Sequence, residues 1–239
     1  MNADFSGKAV LVAGGTGGLG RAVSLAFLEH GATVAVTWRR QEEFDALRDA
    51  AANGASRLTG FNADVTDAVQ TRELVNEIVA RFDHLDVLVN AVGGYAGGIP
   101  LWQIEPEVFE RMLDLNLRAA YALTKAAVPA MIARRSGSIV SIAAKAAWDH
   151  AAGASAYAAS KAAAVALIDS LAADLTGTGV RVNSVLPSII DTAANRSAMP
   201  KADFSKWPKP EDIAKVVLFL GSDDSRVIHG ASIAVYGNT

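Results

Sequence analysis

Two side chains four positions apart, Tyr157 and Lys161, are the clearest chemical pair in the chain. They lie in a stretch beginning near Ser155 whose pattern predicts a helix, so phenol and ammonium share one helical face. An ammonium at that distance favours phenolate, which predicts a tyrosine of lowered pKa able to work as general acid or base. A second cluster, Ala13-Gly14-Gly15-Thr16-Gly17-Gly18-Leu19-Gly20, has the make-up of a turn whose main-chain N–H groups hold a pyrophosphate. Two glycine registers fit it. Gly15, Gly17 and Gly20 give the general dinucleotide spacing, and Gly14, Gly18 and Gly20 give a more discriminating one, with Thr16 and Leu19 expected as contacts inside the turn. A third cluster, Thr37-Trp38-Arg39-Arg40, ends a strand-like run. A carboxylate there would bind a ribose 2′-hydroxyl and repel a 2′-phosphate, whereas Arg39 and Arg40 present guanidiniums to phosphate. NADPH is therefore expected ahead of NADH, which remains possible.

The elements that must position these groups follow from hydrophobic periodicity. Apolar runs at Ala9 to Ala13, Thr33 to Thr37, Leu58 to Ala63, Val87 to Asn90, Ile139 to Ala143, Val180 to Leu186 and Ala231 to Tyr236 read as strands. Between them lie amphipathic stretches at Leu19 to His30, from Gln41, at Asp67 to Phe82, around Glu107 to Arg134, at Ser155 to Leu175, and from Pro210 to Leu220. Strict alternation of strand and helix means a parallel sheet, so the expected fold is a single doubly wound α/β domain over 1–239 with about seven strands. Pro187 to Pro210 lacks periodicity and is expected to be a substrate-binding loop or lid.

Composition narrows the function classes. The chain has 239 residues, 51% of them hydrophobic, with a formal net charge of -3 and no cysteine. Disulfides, thiolate metal sites and cysteine nucleophiles are excluded, and nothing predicts nucleic acid or a membrane as partner. The four histidines, His30, His84, His150 and His229, lack metal-site spacing, so no metal is expected. The amino-terminal residues do not read as a signal peptide, and a cytoplasmic location is expected.

Taken together, the glycine turn at Gly14, Gly18 and Gly20, Asp64-Val65, Asn90-Ala91-Val92-Gly93, Asn116, Tyr157 with Lys161, and Pro187 with Thr192 resemble the short-chain dehydrogenase/reductase family over essentially the whole chain. The resemblance implies that Asp64 and Val65 hold adenine and that Lys161 binds the nicotinamide ribose. It also implies that Tyr157 donates the proton, and that Asn116 supports a water-mediated proton relay to Lys161. Asn90, Val92, Gly93, Pro187, Ile190 and Thr192 are expected to complete the cofactor site, and assembly as a homodimer or homotetramer through the helices carrying Asn116 and Tyr157 is implied.

One position departs from that family. Its serine thirteen residues before the tyrosine is replaced by Ala144. Loss of one such donor to a developing oxyanion typically costs about 3 kcal/mol, so three readings stay open: a silent NADP(H)-binding sensor, a carbonyl reductase with a substitute donor, or a reductase whose substrate needs no second donor. Three blocks, Gly93 to Gly98, Ala144 to Ala147 and Leu186 to Trp207, resemble the dihydropteridine reductase branch of the family, which implies a quinonoid dihydropterin as the small-molecule substrate. That branch also implies NADH, in opposition to Arg39 and Arg40. Tyr95 and Trp148, and also Trp207, are candidates for stacking on a flat heterocycle, with Ala144, Lys145 and Asn195 as further substrate contacts. Lys145 reads equally well as a solvated lysine.

Overall fold

A computed structural model describes residues 4–239. Its seven strands are β1 (Ala9–Ala13), β2 (Thr33–Trp38), β3 (Leu58–Asn62), β4 (Val87–Asn90), β5 (Gly137–Ile142), β6 (Val180–Pro187) and β7 (Ser232–Val235), all parallel and in spatial order β3-β2-β1-β4-β5-β6-β7. The order reverses between β1 and β4. Connections leaving the carboxyl ends of those two strands diverge and open a crevice, the usual ligand position in such sheets.

Successive strand residues alternate between two buried layers. Val10, Val12, Val34, Val87 and Val140 face α1 (Gly18–Glu29) and α8 (Pro210–Gly221) through Val23, Phe27, Ile213 and Val217. Leu11, Leu88, Ile139 and Val182 face α3 (Ala68–Phe82), α5 (Ala119–Arg134) and α6 (Ser155–Asp174) through Ile78, Leu123, Met131 and Ile168. Helix α2 (Gln41–Ala50) lies beside β2 and buries Leu47. Among the described residues, α6 is the one helix long and apolar enough to cross a membrane, but in this fold it packs against β6 and carries the buried Lys161.

Two segments differ from the sequence reading. The helix expected over Glu107 to Arg134 is α4 (Pro106–Leu113) and α5 joined by a π-helical turn at Asp114–Arg118, and Asn116 is buried in that turn. A π turn widens the helix locally and re-aims one side chain, a device found often at functional sites. The segment expected to lack periodicity after Pro187 contains α7 (Ala193–Ala198) and a short 3₁₀ turn at Phe204–Lys206. Thr192 caps α7 by accepting from Asn195 N–H at 3.2 Å, and Asp203 does the same for Ser205 N–H at 3.2 Å. Side-chain caps, which hydrophobic periodicity does not register, hold these short turns.

Candidate active site

Tyr157, Lys161 and Asn116 converge at the carboxyl ends of β4 and β5, with the loop Gly93–Gly98 between them. Asn116 Oδ1 accepts from Gly94 N–H at 3.0 Å, while its Nδ2 donates to Gly94 C=O and to Ser160 Oγ, each at 3.0 Å. The amide thus clamps the loop after β4 to α6. Gly93 lies between the two functional side chains: a Cβ there would come within 2.9 Å of Asn116 Oδ1 and 3.0 Å of Lys161 Nζ. Lys161 is 5% exposed and donates to Ile142 C=O at 3.1 Å. Burial pulls its pKa down to about 8.

The expected lowering of the Tyr157 pKa is reversed in the protein alone. Burial pushes the phenol up to about 12, and the neighbouring Tyr95, whose ring meets it edge-on with centroids 4.9 Å apart, adds to the rise. Lys161 adds no lowering to offset this, and its ammonium donates to the Ile142 carbonyl. Desolvation therefore outweighs the helical neighbour, and at neutral pH Tyr157 is a phenol that can give a proton.

The glycine turn is shaped for an anion. Helix α1 starts with no side-chain cap and no acid in its first turn, so its leading N–H groups are free for a phosphate. A Cβ at Gly20 would lie 2.0 Å from Gly14 C=O, and one at Gly18 would lie 2.9 Å from Thr192 Cγ2, so both glycines are required by close approach. Gly14 N–H donates to Thr37 Oγ1 at 2.8 Å, tying the turn to the end of β2. Beside it, a cavity of about 240 Å³ runs from Gly14, Thr16 and Gly17 past Arg39 and Val65 to Val92 and Gly93, one residue from the Asn116 clamp. Asn90 Oδ1 supports its floor by accepting from Val92 N–H at 3.1 Å. Leu19 is buried beneath the turn, and Ile190, three residues after Pro187 closes β6, packs on the same layer. An uncapped helix start, close-packed glycines and this cavity suit a dinucleotide.

Asp64 does not line the cavity. Its Oδ1 accepts from Thr66 N–H and Oγ1 at 2.9 and 2.7 Å, which together hold the carboxyl below its usual range, and Arg39 reaches the same oxygen at 3.5 Å. Arg40 pairs with Glu43. Glu43 and Leu115 are cavity residues that the sequence reading does not single out. Glu43 sits in the first turn of α2, where an acid ordinarily reads as a partner of the helix dipole. Leu115 is delivered by the π turn, which the sequence pattern did not reveal.

Among the expected substrate residues, Tyr95 and Trp148 are exposed beside the site at 66% and 53%. Ala144 is buried and supplies no hydroxyl. Lys145 pairs with Asp149 at 3.3 Å, and its ammonium lies 5.3 Å from the centre of the Tyr236 ring. Asn195 donates to Ile190 C=O at 2.8 Å, which ties down its own loop. Trp207 is buried against Phe204. Among the described residues no histidine or carboxylate cluster suits a metal. A larger crevice of about 540 Å³ opens at the opposite, amino ends of the strands. Two of its charged groups are committed to the fold: Arg181 donates to the Leu220 and Ser222 carbonyls at 3.0 Å, and Asp86 accepts from Ala9 N–H at 2.8 Å.

Comparison with known proteins bears on this geometry. Residues 8–203 match the short chain dehydrogenase family. Over 241 residues the chain is 32% identical to the 3-oxoacyl-[acyl-carrier-protein] reductase FabG of Thermotoga maritima, covering 98% of both chains. A short-chain type dehydrogenase/reductase from Mycobacterium ulcerans superposes with a TM-score of 0.93 at 27% identity, over 98% of this chain and 90% of that one. ElxO with NADP bound superposes with a TM-score of 0.91 at 28% identity, over 96% and 97%.

Proposed function

The chain belongs to the short-chain dehydrogenase/reductase family of NAD(P)-dependent oxidoreductases, and from that premise we propose that it is an NADPH-preferring reductase of a flat, electron-poor acceptor such as a quinonoid dihydropterin. The bound cofactor supplies the hydride. The uncapped start of α1 and the glycine turn would hold its pyrophosphate, Arg39 would meet its 2′-phosphate, and Lys161 would orient its nicotinamide ribose. Tyr157, protonated at neutral pH, hands its hydroxyl proton to the acceptor. Asn116 positions the loop that walls the nicotinamide side by clamping Gly94.

The observation that carries the acceptor class is Ala144, buried where the family's second hydroxyl donor would stand. A ketone develops charge on one oxygen and needs that donor. A quinonoid ring spreads the incoming electron pair over a conjugated system and is served by one proton donor. Tyr95 and Trp148, exposed at the rim, offer faces for such a ring. Ala144→Ser supplies the missing hydroxyl and is expected to raise kcat/KM for a simple ketone by about tenfold to a hundredfold, while a quinonoid dihydropterin changes by less than about threefold. Equal gains for both acceptors would remove the argument from Ala144.

A general carbonyl reductase is the second reading. It is favoured by the curated relatives, which include a 3-oxoacyl reductase and a D-threitol dehydrogenase from Mycolicibacterium smegmatis. Either activity is proposed to reside in a homodimer or homotetramer built on α5 and α6, since Tyr121 and Ile132 are exposed on α5 and Ala159 and Ala166 are exposed on α6. Light scattering is expected to give twice or four times the chain mass, and a monomer at assay concentration would refute the assembly.

A further inference from the structure

Glu43 is the one carboxylate lining the cavity beside the glycine turn. Its Oε2 accepts from Thr16 Oγ1 at 3.2 Å, and its Oε1 pairs with the Arg40 guanidinium. The carboxylate thus bridges the glycine turn and the start of α2, occupying the hydrogen-bonding capacity of both a hydroxyl and a cation. Arg39, on the other wall, is drawn toward Asp64. We propose that Glu43 is a specificity-determining residue that opposes the 2′-phosphate of NADPH and supports the 2′-hydroxyl of NADH, so that the chain accepts both cofactors. The inference rests on the cofactor reading above.

The physical basis is charge count. A 2′-phosphate carries close to two negative charges at neutral pH and would share this cavity with a third on Glu43. It would also have to draw Arg40 away from an existing partner. A 2′-hydroxyl, by contrast, can donate to the carboxylate without moving Arg40. The sequence motif Trp38-Arg39-Arg40 taken alone favours phosphate, and Glu43, three residues further on, weakens that preference.

Calorimetric titration with 2′,5′-ADP and 5′-AMP isolates this end of the cofactor from turnover. Wild-type protein is expected to bind both. Glu43→Gln keeps the size of the side chain and an acceptor for Thr16 while removing the charge, and is expected to tighten 2′,5′-ADP by about tenfold and to weaken 5′-AMP by about threefold. The ratio of NADPH to NADH affinity, read from quenching of protein fluorescence, should shift in the same direction. If both nucleotides bind and the variant leaves their ratio as in wild type, Glu43 does not determine specificity and the cofactor reading stands. If neither nucleotide binds wild-type protein, the cofactor reading falls and takes the inference with it.

Discussion

Tyr157→Phe is expected to lower kcat by about 10²- to 10⁴-fold while leaving the dissociation constant for NADPH within about threefold. The substitution removes one oxygen. Its ring stays, and with it the edge-on contact to Tyr95, so cofactor affinity and folding report on damage other than the lost hydroxyl. The effect is expected to be large because no serine stands at position 144 to share proton donation. A phenol held near a pKa of about 12 keeps its proton throughout the working range, so loss of rate cannot be attributed to a shifted ionisation. Turnover within about tenfold of wild type would mean that the acceptor takes its proton from another source. That result would leave Tyr157 as a wall of the pocket.

Lys161→Met is expected to stabilise the fold and destroy the activity. Burial of the ammonium pulls its folded pKa to about 8, against about 10.4 for an unfolded lysine. Between those two values the unfolded chain holds more protons than the folded one, so stability rises with pH across that window. Below about pH 8 both states are protonated, and the full cost of burying the charge is present. Methionine has similar volume and no charge. After allowance for the lost hydrogen bond to Ile142 C=O, the variant should be more stable at pH 7 by about 2 kcal/mol. The gain should shrink toward zero as the pH approaches the unfolded value. Turnover should fall by about 10²-fold or more, with weaker binding of the nicotinamide ribose. Wild-type reduction rate should decline above about pH 8 as the ammonium is lost. Chemical denaturation at several pH values and a pH–rate profile check both statements. A variant destabilised equally at all pH values would show that the lysine is held for packing.

Strand and helix alternation and the shared helical face of Tyr157 and Lys161 are legible in the residues, because each depends on local periodicity or on spacing along one helix, whereas the strand order and its reversal between β1 and β4 come only from the fold. The direction of the Tyr157 pKa is not legible either. Spacing says how far apart two groups sit on a helix, whereas the shift depends on what surrounds them, and here burial and Tyr95 prevail over Lys161. The π turn at Asn116 escaped notice for a similar reason: one extra residue per turn leaves the apolar pattern nearly intact while re-aiming a side chain. Lys145, which the sequence leaves open between a substrate contact and a solvated lysine, pairs with Asp149, and Asn195, a candidate substrate contact, donates to the Ile190 carbonyl. Glu43 went unmarked because an acid in the first turn of a helix is common. Only the folded chain brings it against Thr16, which is 27 residues away in sequence.

The proposed reaction is hydride delivery from NADPH to an electron-poor ring in a site with one proton donor. The most direct test is the initial rate of NADPH oxidation by the purified protein with freshly generated quinonoid dihydropterin, a small quinone and a simple ketone, measured side by side. The dihydropterin or the quinone is expected to be reduced at least about tenfold more efficiently than the ketone. Efficient ketone reduction with no turnover of either electron-poor acceptor would contradict it.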